Sequence, residues 1–179
     1  MTKPRTTAPL CVLLDANVIF EAYRQGIWQT LIQKVRIAVP SIIARGEVLS
    51  VEIGGMTAPP SLRDDISSGK IEEWAADAAA MEAVYRLFDE AFITGLHEGE
   101  VEALALLDAI EDEVFFCTAD QTAIQAMAMM GEAERGMSFE SLLRKVGLWR
   151  RMDYRFSEAF FRNHSALGKK RRIQREGLR

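Results

Sequence analysis

Cysteine and histidine are scarce in this 179-residue chain, with two of each. Cys11 and Cys117 lie far apart, each inside an apolar run, so they read as small core residues and exclude a disulfide framework. His97 and His164 have no cysteine near them, which removes a zinc centre built on nitrogen and sulfur. No apolar run approaches the ~20 residues needed to cross a membrane. Residues 1–9 carry two basic residues and two prolines, and no signal-peptide apolar region follows. The expectation is a cytoplasmic protein with a flexible start. No internal repeat is visible. Positive charge is also sparse over most of the chain. Residues 1–143 hold 10 basic and 23 acidic side chains, a net of −13, whereas residues 144–179 hold 12 basic and 3 acidic, a net of +9. Such asymmetry suits contact with a polyanion or an acidic partner, and it equally suits a solvated tail.

What is present is a regular alternation of strands and helices. Residues 10–14 are an apolar run that reads as a strand buried on both faces. Apolar spacing then predicts a helix through Ile19, Tyr23, Ile27 and Leu31, with Gly26 a break. A second strand spans 36–39, and Ser41 is placed to cap a helix over 42–53, stopped by Gly54 and Gly55. Residues 57–69, with Pro59, Pro60 and Gly69, read as a loop. Residues 70–74 are a short element without a clear type. An alanine-rich helix covers 75–92, and another opens near Glu98 and runs to about Ile110. Residues 114–117 form a further buried strand, followed by helices over 121–130, 139–146 and 153–165. The basic tail is Lys169, Lys170, Arg171, Arg172 and Arg175. This order predicts an α/β fold with a central parallel sheet and helices on both sides.

Twice an apolar strand runs into an aspartate: Leu14 into Asp15, and Cys117 through Thr118 and Ala119 into Asp120. In a parallel sheet both emerge at the carboxyl edge, where open α/β sheets bind ligands. The plain alternative is that Asp15 or Asn17 only caps the next helix. Haloacid-dehalogenase phosphatases also end their first strand in an aspartate, but they need a second acid two residues on, where this chain has Asn17. At ~100° per residue, Glu100 is centred on the apolar face with Leu104, Leu107, Ala103 and Ile110. Glu98 and Glu102 stack on each other about 200° away. The helix dipole gives a first-turn acid a structural reason as well. Glu47 sits among Ile43, Val48, Leu49 and Val51, with Arg45 and Glu52 close enough in sequence for a surface ion pair. Chemistry alone does not select it. Acids that converge without histidine or cysteine form a hard oxygen site, which selects Mg²⁺ or Mn²⁺. Such a site suits phosphodiester hydrolysis, and the basic C-terminal segment would supply counter-charge for a nucleic-acid backbone.

The ordered set resembles the PIN-domain nucleases: Asp15-Ala16-Asn17-Val18 after a buried strand, Glu47 in the second helix, Gly99-Glu100-Val101-Glu102-Ala103 opening a later helix, and Thr118-Ala119-Asp120 after a strand. The resemblance covers residues 10–148. It implies a Rossmann-like α/β/α sandwich and metal-dependent endoribonuclease activity. It implies Asp15, Glu47, Glu100 and Asp120 as metal ligands, with Glu102 an alternate to Glu100. Asn17 and Thr118 match the family's polar supports. Many bacterial members resemble VapC toxins, which pair with a small antitoxin that blocks the site. This chain departs from the compact pattern in an extended region over 54–95 and in the helix and basic tail of 149–179. The tail residues Lys169, Lys170, Arg171, Arg172 and Arg175 are the candidate RNA contacts. The edge formed by Phe156, Phe160 and Phe161 either docks on the domain or makes a homodimer contact. Two other readings stand beside the nuclease. One is a nucleic-acid-binding module with a decayed site, which the presence of all four acids opposes. The other is a phosphatase using Asp15 as nucleophile, which Asn17 opposes.

Overall fold

The structure is a computed structural model that describes residues 10–47, 61–111 and 113–179, without the side chains of Glu47 and Ser61. Five strands form one parallel sheet: β1 (Cys11–Leu14), β2 (Arg36–Pro40), β3 (Glu72–Trp74), β4 (Val114–Cys117) and β5 (Gly136–Met137). Their spatial order is β3-β2-β1-β4-β5. The chain builds outward from β1 to β3 on one side, then returns to β1's other edge with β4. The order therefore reverses between β1 and β4, and a crevice opens at such a reversal outside the carboxyl ends of the strands. In register, Leu14 pairs with Cys117, so Asp15 and Thr118 leave the sheet side by side.

Period-two alternation in β1 feeds two cores. Val12 and Leu14 face α1 (Ala16–Arg24), α2 (Trp28–Leu31), α3 (Ser61–Ser67) and α8 (Phe139–Lys145), meeting Ile19, Trp28, Leu62 and Phe139. Cys11 and Leu13 face the opposite layer. It is made of α4 (Ala78–Leu87), α5 (Glu90–Ile93), α6 (Glu98–Ala109) and α7 (Gln121–Met130), which bring Val84, Phe92, Leu104 and Met127. The result is the three-layer α/β/α sandwich, with both cysteines buried and free. No helix among the described residues is long and apolar enough to cross a membrane.

Several elements differ from the sequence reading. Ser61–Ser67 is a helix, although it lies within the stretch 57–69 read as a loop. Its Asp65 is buried and accepts hydrogen bonds from Trp28 Nε1 (2.8 Å) and Lys70 Nζ (3.3 Å), a long-range anchor that local turn chemistry does not show. The helix expected over 42–53 is described only as far as a π-helical turn, Ile43–Glu47, and the rest lies outside the described residues. The alanine-rich helix breaks at Phe88, where Asp89 caps α5 by accepting from Phe92 N–H (2.8 Å). The gap is filled from the far end of the chain. Phe88 bridges Leu178, Asp89 N–H donates to the Gly177 carbonyl (2.9 Å), and Arg179 N–H donates to the Leu87 carbonyl (3.0 Å).

The largest correction concerns the C-terminal segment. It is not a helix over 153–165 with a separate tail. Tyr154–Phe156 is a 3₁₀ turn, and α9 (Glu158–Gln174) runs on through the basic residues. This helix packs most extensively on α7. Phe156 and Phe161 are buried within the chain, which resolves the phenylalanine edge in favour of docking.

Candidate functional site

The strand ends place Asp15 and Asp120 together at the β1/β4 reversal. Asp15 is 2% exposed. It occupies the N-cap position of α1, yet its side chain makes no cap hydrogen bond to that helix. Its Oδ2 instead accepts from Thr118 Oγ1 (2.8 Å) and, at longer range, from Asn17 Nδ2 (3.4 Å). Thr118 Oγ1 also accepts from Asp120 N–H (3.0 Å), which directs the single hydroxyl proton toward Asp15. Asp120 does act as a cap. Its Oδ1 accepts from Thr122 N–H (2.7 Å) and Ala123 N–H (2.9 Å) at the start of α7, while its Oδ2 receives no hydrogen bond among the described residues.

Two of the other buried acids have cationic partners. Glu21 is paired with Arg24 (2.6 Å) and Asp65 with Lys70 (3.3 Å). Among the described residues neither Asp15 nor Asp120 forms an ion pair with a lysine or arginine. Burial raises the Asp15 carboxyl from the ordinary 3.8 to about 6. The negative charge of Asp120 adds to the rise, and the hydrogen bonds from Thr118, Asn17 and the Ala16 amide only partly oppose it. Burial, with the neighbouring charge of Asp15, pushes the Cys117 thiol up, so that side chain stays a neutral core group.

Glu100 and Glu102 are both buried, at 3% exposure each. The helical arithmetic places Glu102 on a solvated face beside Glu98, and this is corrected. Residues 99–107 are buried on every side, because α6 lies between the sheet and α4. The Glu102 carboxylate accepts from Ser41 Oγ (2.7 Å), Ile42 N–H (2.7 Å) and Ala76 N–H (3.3 Å). Ser41 therefore donates its hydroxyl to Glu102, which also takes the neighbouring Ile42 N–H. Glu102→Ala would strand three donors, so a loss of about 1–3 kcal/mol is expected, read as a lower urea midpoint. Glu102→Gln keeps one acceptor oxygen and should lose less.

Glu100 Oε2 accepts from His97 N–H (3.0 Å), closing the first turn of α6. Two contacts locate that turn. Gly95, just before α6, abuts Thr122 of the α7 first turn: a Cβ built on it would lie 3.3 Å from Thr122 Cγ2. Glu102 is clasped to the carboxyl end of β2. The turn that carries Glu100 is thus held between the first turn of α7 and the carboxyl end of β2. The Glu47 side chain is outside the described residues. Among the described residues no three histidine, cysteine, aspartate or glutamate side chains form a metal-holding group.

The basic residues assigned to RNA contact all lie on the last turns of α9 or at its end. Lys169 pairs with Glu134 (3.1 Å). The Arg171 guanidinium sits over the Phe92 ring (5.6 Å) and lines a shallow cavity with Thr122 and Gln125, beside the α7 turn that Asp120 caps. Lys170, Arg172 and Arg175 are exposed. The sequence reading gave Ser41 a capping role alone and passed over Trp149 and Tyr154. The only linear sign of the last two is their position among arginines. Known protein families, curated proteins and solved structures contain no match to this chain.

Proposed function

We propose that this chain is a metal-dependent endoribonuclease of the PIN type, cutting RNA phosphodiesters at the carboxyl edge of β1 and β4. The observation that carries the reading is Asp15: a buried carboxyl, raised to about 6, beside a second acid and without a cationic partner among the described residues. Clustered carboxylates that lack a basic partner suit a bound cation, and all-oxygen donors suit Mg²⁺ or Mn²⁺ over zinc. Asp15 and Asp120 would hold it, with Glu100 and Glu47 the further acids that the family resemblance supplies. The bound ion would activate water for attack on phosphorus and stabilise the leaving oxygen.

The chain's own groups prepare that edge. Thr118 fixes the rotamer of Asp15 through Oδ2. Asp120 spends Oδ1 on the α7 cap and presents Oδ2. Glu102, saturated by three donors, holds α6 against β2 and is the poorer ligand, which favours Glu100 of the two. Arg171, beside the α7 turn that Asp120 caps and 3.8 Å from Glu176, would meet RNA phosphate there. A small antitoxin covering this edge fits the toxin-like members that the chain resembles.

In the test, purified protein is incubated with single-stranded RNA and Mn²⁺ or Mg²⁺. Cleavage should appear with metal and vanish in chelator. Either ion should also raise the thermal midpoint, since a ligand that binds only the folded state stabilises it by RT ln(1 + [L]/Kd). Cleavage undiminished in chelator would sink the reading, as would a midpoint that metal leaves unmoved.

A further inference from the structure

The segment 144–155 carries five basic residues and one acid, a net of +4, directly after a region that is strongly negative. It also carries two of the exposed large hydrophobic side chains, Trp149 at 53% and Tyr154 at 60% exposure. Exposed aromatic rings are ordinarily free to rotate. These two are held. The Arg144 guanidinium lies 5.3 Å from the Trp149 ring centre, and Trp149 Nε1 donates to Glu140 Oε1 (3.4 Å). The Tyr154 hydroxyl accepts from Asn163 Nδ2 (2.9 Å), and its ring meets Phe160 edge-on at 5.6 Å.

Both residues are tied to one corner. Glu140 in the first turn of α8 accepts from Arg144 (2.8 Å) and Trp149 through Oε1, and from Glu158 N–H (2.8 Å) through Oε2. Next to Glu158, Ser157 donates its hydroxyl to the Tyr154 carbonyl (2.6 Å). Ser138, which ends β5 and caps α8, donates to Glu158 Oε2 (2.8 Å). The corner therefore sits at the carboxyl edge of β5, one strand away from the β4 end that leads to Asp120. The segment's one acid, Asp153, lies within electrostatic reach of Arg24 on α1. Arg150 and Arg151 are exposed and make no ion pair among the described residues.

We infer that Trp149 and Tyr154 form a stacking platform for single-stranded RNA, with Arg150 and Arg151 tracking its phosphates. Held rings amid basic side chains bind unpaired bases with little ordering loss, because every base has a face to stack. A duplex hides those faces and gains only the charge contribution. Trp, Tyr and Arg also dominate protein interfaces, but the net positive charge of this segment favours a polyanion. The inference rests on the ribonuclease reading for its ligand class, and it places the RNA entry beside β5, apart from the basic turns of α9.

The experiment is fluorescence anisotropy of a labelled oligouridine in chelator, where nothing is cut. The Trp149→Leu/Tyr154→Leu protein should bind about tenfold or more weakly, whereas Trp149→Phe/Tyr154→Phe should stay within about threefold of the native chain, since it keeps the rings. Arg150→Gln/Arg151→Gln should flatten the slope of log affinity against log salt by about 1.4, at ~0.7 per phosphate contact. Binding of duplex RNA should be the same for the Leu protein and the native chain. Equal oligouridine binding by the Leu protein overturns the platform. So does self-association, seen by light scattering, that the Leu protein abolishes, because the face is then a protein contact. Ring-dependent binding without any cleavage upholds the platform and overturns the nuclease. Cleavage with ring-independent binding does the reverse.

Discussion

Asp15→Asn will melt at a higher temperature than the native chain at pH 8 in chelator, and it will lose most of the proposed RNA cleavage when metal is supplied. The two effects have one cause. A carboxyl titrating near 6 when folded and near 3.8 when unfolded keeps its proton longer in the folded state. Between those values the unfolded chain binds fewer protons, so stability falls as pH rises from about 4 to about 6. Above that window the penalty is complete, on the order of 3 kcal/mol before relaxation. Asparagine keeps an acceptor for Thr118 and carries no charge beside Asp120, so most of the penalty disappears. At about 2–4 °C per kcal/mol for a domain of this size, the midpoint should rise by several degrees. At pH 4 the advantage should vanish, because Asp15 is then protonated in the folded native protein. Cleavage should drop by at least about 100-fold, the usual scale for removing one group that acts on the transition state. An Asp15→Asn midpoint at or below the native one at pH 8 would show that Asp15 is not a penalised charge. Undiminished cleavage would show that the edge is not the site.

The second large effect is expected far from the acids. Gly168 faces α7 so closely that a Cβ on it would lie 2.5 Å from the Gln125 carbonyl oxygen and 2.8 Å from Gln125 Cα and Ala128 Cβ. Two of these three atoms are backbone and cannot step aside. Gly168→Ala gains about 1 kcal/mol of helix propensity yet should still lower stability, because α9 must move off α7. Gly168→Val adds two more methyl groups and should lose about 3 kcal/mol or more, at the upper end of overpacking effects. Urea denaturation measures both. Ala166 lies on the exposed side of the same helix, and Ala166→Leu should change stability by less than about 0.5 kcal/mol. A Gly168→Ala protein more stable than the native chain would show that the two helices pack with room to spare.

The architecture was legible where one residue pattern has one physical explanation. Residues 11–14 and 114–117 are apolar runs too short for helices and end abruptly, and both are buried parallel strands. β5 was not legible, because Gly136 and Met137 are too few to show any period. The break at Phe88 was written in Asp89-Glu90-Ala91-Phe92, a cap followed by a fresh first turn, but alanine-rich surroundings masked it. Within the site, the sequence made the isolation of Asp15 visible and left its energetics hidden. Whether a buried carboxylate has a cation beside it depends on which side chains the fold brings near. Glu21 and Asp65 have one, and Asp15 has none among the described residues. Glu102 was misplaced because a helical wheel assumes one wet face, and α6 has none from Gly99 to Leu107.

The hydrogen bond between Thr118 and Asp15 spans 103 positions of the chain. Among the described residues three strands and six α-helices lie between them. Contacts of such long range form late, once loop-closure entropy has been overcome. Before that moment each acid is an ordinary solvated carboxylate, without neighbour or orientation. Any chemistry at this edge is therefore absent from a nascent or partly folded chain. A site wired this way cannot assemble until translation has passed Asp120 and the sheet has closed.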